Sequence, residues 1–168
     1  MDYYLTEMKL GNNITQSQIH TMLYNIDKNA VWQRQGDTVY VVSQVKMGNS
    51  QKIDMTFKVG DILTISWMAH PVVRGKTNQN GYRIPMDKMP EYIARKAEQN
   101  GFMVLENRTT IQNTGYVYLE HKNIYLYSNM IFGTIKITDT DKFIRAITEG
   151  VRGTSKRCYG FSMLNIWA

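Results

Sequence analysis

The stretch DTDKFIRAITEGVRGTSKRCYGFSMLNIW, Asp139 to Trp167, strings together a helix, a basic glycine-rich turn and a strand. The periodicity predicts the helix over about 139–150, with Ile144, Ile147 and Val151 on one side and Gly150 as its stop. Arg152, Gly153, Lys156 and Arg157 follow, and an apolar run from Tyr159 to Ile166 reads as a closing strand. Two readings of the basic turn stand side by side. Backbone N–H groups freed by Gly153, with Lys156 and Arg157, can cradle a phosphate. Alternatively, the basic residues favour the C-terminal end of the helix dipole, the simpler role for Arg152. The string is not a nucleotide P-loop, because no Gly-Lys-Ser/Thr follows four spacers.

Outward from this stretch the order of patterns becomes informative. Strands are predicted at about 102–110, 115–120 and 123–137, after a helix over 87–100 stopped by Gly101. The second half therefore runs helix, strand, strand, strand, helix, strand. The first half runs strand (2–10), helix (15–26), and strands at 31–35 and 38–46 joined through Gly36-Asp37. The strand-like KIDMTFKV and DILTISWMAHPVVR come next, then the turn-rich GKTNQNGYRIP. On the first helix Ile19, Met22, Leu23 and Ile26 form the apolar stripe.

Two tandem βαββαβ units account for this order, with VVRG leading into the second as its first strand. The fold class is α+β: ferredoxin-like, RRM-like units with antiparallel sheets. The first unit is abbreviated, because MGNSQKID is too short and too polar to supply its second helix. The division is placed at residues 1–73 and 74–168.

Composition narrows the function classes. The 168 residues are 43% hydrophobic, enough for a real core, and the single Cys158 excludes a disulfide framework and fits a reducing, cytoplasmic setting. Neither a basic-then-apolar leader nor an apolar run of membrane-spanning length is read, so no membrane partner is expected. The net charge of +6 and pI near 9.4 favour an anionic partner. Eleven Tyr and three Trp supply flat rings able to stack on bases.

The first helix holds the candidate for chemistry. His20 lies next to Ile19, about 100° from the centre of the apolar stripe, and Ser17, Tyr24 and Asp27 share its flank. Metal binding and cofactors are not expected: His70 precedes a proline, His121 sits in the turn HKN, and neither has a ligand at metal spacing.

SQIHTMLYNI, VGDILTISWMAHPVVRG, YRIPM and EGVRGTSKRCYGFSMLNI, in that order along nearly the whole chain, resemble the CasE family of CRISPR repeat-processing endoribonucleases. The resemblance implies two ferredoxin-like units that bind the stem-loop of a CRISPR repeat RNA and cut 3′ of the stem. It matches His20 to the family histidine and Lys156, in GTSK, to the lysine of the glycine-rich turn. The chain departs from the pattern in three places. Ser17 stands where some members have a tyrosine, Gly160-Phe161-Ser162 replaces a glycine pair around one apolar residue, and the first unit is short.

These matches imply a metal-independent cut. RNA carries its own nucleophile, the 2′-hydroxyl, and histidine, with an ordinary pKa of about 6.5, suits the proton transfer. The products would be a 2′,3′-cyclic phosphate and a 5′-hydroxyl. Ser17 has too high a pKa to act as the acid; Tyr24, one turn from His20, is either that acid or a ring at the core edge. Arg74, Lys76, Arg83 and Arg108 are candidates to grip the RNA backbone, with Arg152, Gly153 and Arg157; Arg95 and Lys96 read as a solvated helix face. A monomer bound to one stem-loop is expected, with CRISPR effector proteins as further partners. A second reading is a non-catalytic protein of phage or mobile-element origin that binds repeat RNA or the effector complex. The lost helix and altered glycine pair favour that reading. A third is an RNase acting on other cellular RNA.

Overall fold

The computed structural model describes residues 1–73, 82–152 and 159–168. The chain runs β1 (Tyr4–Lys9), α1 (Gln16–Ile26), β2 (Val31–Gln35), β3 (Thr38–Ser43), β4 (Gln51–Lys52), β5 (Ile62–Ala69), β6 (Val72–Val73) and β7 (Tyr82–Arg83). It continues with α2 (Met89–Gln99), β8 (Phe102–Leu119), β9 (Ile124–Ile137) and α3 (Thr140–Glu149). Thr15 starts α1 through a capping box: its Oγ1 accepts from Gln18 N–H at 3.2 Å, and Gln18 Oε1 accepts from Thr15 N–H at 2.9 Å. The Asp139 carboxylate caps α3 by accepting from Lys142 N–H.

The first sheet has the antiparallel order β2-β3-β1-β4. The second has the order β5-β9-β8, and a bridge from Ser66 to Asn165 adds the C-terminal segment on the free edge of β5. Counted within each unit, both sheets follow the order 4-1-3-2, so the two ferredoxin-like units are present. Among the described residues no helix separates β3 from β4, and the first unit is abbreviated as the polar MGNSQKID predicts.

Several sequence expectations need correction. The first strand of the second unit is β5, which pairs with β9 over its whole length; Val72–Val73 instead forms a short ribbon with Tyr82–Arg83. The sheets therefore do not divide at residues 73 and 74. In KIDMTFKV only Lys52 is in a strand, because β4 ends there. The strands expected at 102–110 and 115–120 are one long β8, with register shifts between Val104 and Thr109 and between Asn113 and Gly115. The apolar stripe of α1 narrows to Ile19 and Leu23, with Met22 and Ile26 exposed, and α3 buries Phe143, Ala146 and Ile147. The closing strand of 159–166 makes one ladder bridge, at Asn165.

Two cores result. Ile19 and Leu23 of α1 pack on Trp32, Val39 and Val41 on one face of the first sheet. The helices α2 and α3 cover Ile65, Trp67, Ile131, Ile135 and Ile137 on one face of the second. Adjacent strand residues point to opposite faces, so Gln33 and Ser66 lie on the faces away from those helices, where the units meet. No helix among the described residues is long and apolar enough to cross a membrane.

Candidate active site

Because only Ile19 and Leu23 of α1 are buried, His20 stands half-buried at the margin of the packed stripe. It lines an open groove of about 830 Å³ with Ser17, Gln18, Thr21 and Met22 of α1 and with Glu120, just past the end of β8. Two rings flank the imidazole. The exposed Tyr24 ring is centred 5.6 Å away, and the buried Tyr159 ring 4.9 Å away.

Tyr159 is the hinge between this groove and the rest of the chain. Its side chain packs with Leu119, Leu126 and Phe161 at the far end of the β8–β9 hairpin. Its carbonyl accepts a hydrogen bond from Gln16 Nε2 at 3.2 Å, which ties it to the first turn of α1. The ammonium of Lys122, in the turn between β8 and β9, lies 5.5 Å from the centre of the same ring. Gly160, at φ +89°, has room for nothing larger: an added Cβ would come within 2.9 Å of the Trp32 ring.

The described residues on either side of the glycine-rich stretch are anchored. Before it, Val151 N–H donates to the Ser162 carbonyl at 2.7 Å, and Gly150, at φ +89°, faces Ser162 so closely that a Cβ would sit 2.7 Å from its Oγ. Arg152 N–H donates to Asn100 Oδ1 at 2.9 Å, and its carbonyl accepts from Lys96 Nζ at 3.3 Å. Lys96 is thus buried rather than part of a solvated face. Burial pushes its ammonium pKa down, and the Arg95 charge adds to the effect. After the turn comes Tyr159, beside His20.

The structure brings together His20, Ser17 and Tyr24, and it leaves the side chain of Arg152 exposed next to the anchored backbone. Gly153, Lys156 and Arg157, with Arg74 and Lys76, lie outside the described residues. Arg83 stacks its guanidinium 3.9 Å above the Tyr127 ring. Tyr127 follows Leu126, which packs with Tyr159, so Arg83 is on the opposite face of the hairpin from His20. Arg108 is exposed near the middle of β8, about 40 Å from Glu120 along a strand rising about 3.3 Å per residue, and does not join the site.

Sequence reasoning missed Tyr159, Lys122, Glu120 and Gln16. Tyr159 was absorbed into the closing strand, and the turn HKN was weighed only for its histidine. A cation at the tip of a hairpin becomes informative only once the hairpin's length places that tip against α1.

Two ferredoxin-like units, with a groove lined by His20 and the Lys122 ammonium near the adjoining Tyr159 ring, define the class of protein. A family model described as CRISPR associated protein matches residues 10–167, and the chain belongs to that family. Among solved structures the chain is similar to Thermus thermophilus Cse3 bound to an RNA representing a pre-cleavage complex. That match has 16% identity, a TM-score of 0.82, and coverage of 98% of each chain. It is also similar to the CRISPR-associated protein Cas6e from Escherichia coli K-12, with 13% identity, TM-score 0.73, and 96% and 97% covered. A chain of E. coli Cascade bound to a PAM-containing dsDNA target matches at 12% identity and TM-score 0.62, with 98% and 97% covered. No curated protein sequence matches it. The CasE resemblance read from the sequence thus holds at the level of family and fold.

Proposed function

We propose that the chain is a metal-independent endoribonuclease that binds the stem-loop of a CRISPR repeat RNA and cuts it. The observation that carries this reading is the groove where His20 meets the Tyr159 end of the basic glycine-rich turn. In the proposed step the ribose 2′-oxygen loses its proton, attacks the adjacent phosphorus and forms a cyclic phosphate. The 5′-oxygen leaves and takes up a proton. His20 serves one of these transfers, and Tyr24, its ring within reach of the same groove, is the candidate partner.

Charge grows on the phosphate as the bond forms, and cations placed there stabilise it. Lys156 is three residues before Tyr159, so covalent geometry keeps their Cα atoms within about 11 Å. Lys122 is a second candidate cation, brought by the hairpin turn. Lys52 pairs with Asp2 at 3.2 Å, and because an ion pair adds no net charge, the excess of +6 remains to attract a polyanion. The expected setting is a cytoplasmic monomer on one stem-loop. The similar chains in Cse3–RNA and Cascade support RNA and effector proteins as partners.

The abbreviated first unit and the altered glycine pair, Gly160-Phe161-Ser162, favour the second reading, a binder of repeat RNA or of the effector complex that does not cut. Incubation with a repeat stem-loop, followed by end-group analysis, separates the two. A 2′,3′-cyclic phosphate and a 5′-hydroxyl at one position support the nuclease; tight binding with no cut under any buffer or metal supports the binder.

A further inference from the structure

The C-terminal segment is buried from Tyr159 to Asn165, yet its one ladder contact is the bridge between Ser66 and Asn165. The backbone pair is symmetric: Ser66 N–H donates to Asn165 O at 2.8 Å, and Asn165 N–H donates to Ser66 O at 2.9 Å. The side chains keep the period of a fourth strand. Met163 packs with Val31, Val42 and Ile53 of the first unit, and Leu164 joins the helix-covered core of the second. The segment is therefore a wedge between two cores.

Apolar side chains of similar size do not fix where such a wedge sits along its length. In a complete sheet a ladder would do so, and slipping by one residue would turn every side chain to the wrong face. Here a buried polar cluster takes that role. Gln33, Ser66 and Asn165 are each fully buried. Gln33 Oε1 accepts from Asn165 Nδ2 at 3.0 Å, from Ser66 Oγ at 3.1 Å and from Gln35 Nε2 at 2.7 Å. Gln33 Nε2 in turn donates to the Ser66 carbonyl at 3.2 Å. Gln33 belongs to the first sheet, Ser66 to the second, and Asn165 to the wedge. A slip would leave buried amide groups unpaired, which is costly in a low-dielectric seam.

We propose that Gln33, Ser66 and Asn165 are positioning residues that lock the register of the C-terminal segment and so set Tyr159 against His20. This rests on the nuclease reading for its kinetic consequence but not for its geometric one. Between Asn165 and Tyr159 the segment is held in the same register by Trp67 Nε1, which donates to Phe161 O at 3.1 Å, and by the close fit of Gly160 under Trp32, so the cluster and these contacts fix Tyr159 together.

The test uses the full chain with Asn165→Leu, alike in branching and unable to pair, and the milder Ser66→Ala should the bulkier Leu fold poorly. Two readouts are taken. In the free protein the His20 ring proton resonances, displaced by the Tyr159 ring current, should move in the variant toward their positions in Tyr159→Leu. With repeat RNA at saturation, the single-turnover cleavage rate should fall by about 10²-fold, as misplacement of reacting groups by about 1 Å does. Kd should hold within about threefold, since no RNA contact is removed. Unchanged His20 resonances in both variants would overturn the lock. So would a Kd that rises in parallel with the loss of rate. If the wild-type protein does not cut repeat RNA, the nuclease reading fails, and the resonance experiment still decides the lock.

Discussion

In the first unit α1 buries Ile19 and Leu23, whereas in the second α2 buries Met89, Tyr92, Ile93, Lys96 and Ala97 and α3 buries Phe143, Ala146, Ile147 and Thr148. The helix that bears His20 is the lightly packed one. It is held at its first turn by the Thr15–Gln18 capping box and by Gln16 on the Tyr159 carbonyl, and its outer side, from Ser17 to Met22, lines a groove. Dense packing supplies the frame, and sparse packing leaves side chains available for chemistry. The seam between them is apolar around Met163 and carries one specific polar cluster at Gln33.

That division can be broken at either end. The largest effect is expected from His20→Ala, which should lower single-turnover cleavage by about 10²–10⁴-fold while leaving RNA affinity and the urea midpoint nearly unchanged. A parallel loss of folding and rate would mean that His20 belongs to the frame. Phe143→Ala should act in the opposite sense. The ring is fully buried and meets Phe57 and Phe102 edge-on, so its removal should cost about 3–5 kcal/mol by denaturant titration. A cost below about 1 kcal/mol would contradict the frame.

An alkaline titration sharpens the same contrast. Tyr92, stacked on Trp67, has its phenol pushed up to about 12 by burial. Its folded pKa lies above the unfolded value of about 10, so its contribution is fully present below pH 10 and is lost as pH rises through 12. A rise of two pH units corresponds to about 3 kcal/mol. Lys96 works in the other direction: its lowered pKa makes stability rise as pH climbs toward 10.5. Tyr92→Phe should therefore flatten the loss of stability between pH 10 and 12, followed by circular dichroism; an unaltered decline would place the titration elsewhere. The smallest effect is expected at the cap of α1, where Thr15→Ala should cost about 1 kcal/mol and slow cleavage modestly.

How much of this was legible in the sequence differs from element to element. Apolar period revealed the three described α-helices and the tandem order, and Gly101 and Gly150 punctuate the ends of two of them locally. His20 was legible for a related reason: it stands one step off an apolar stripe. The ladder of the last strand was not, since its apolar alternation is retained while its hydrogen bonds go to a single bridge. Tyr159 and Lys122 escaped because their importance depends on where an 18-residue strand ends in space, which periodicity does not encode. The strand places Arg108 far from the groove, so it stays a candidate for the RNA backbone on its charge and exposure, not for the cut.

The central claim is that the RNA supplies the nucleophile and His20 moves its proton. It is tested most directly with a repeat stem-loop whose 2′-hydroxyl next to the scissile phosphate is replaced by hydrogen, compared with the unmodified RNA in excess EDTA. The account predicts that the unmodified RNA is cut to a cyclic phosphate and that the deoxy RNA is bound with similar affinity and left intact. Cleavage of the deoxy RNA at the unmodified rate would contradict it.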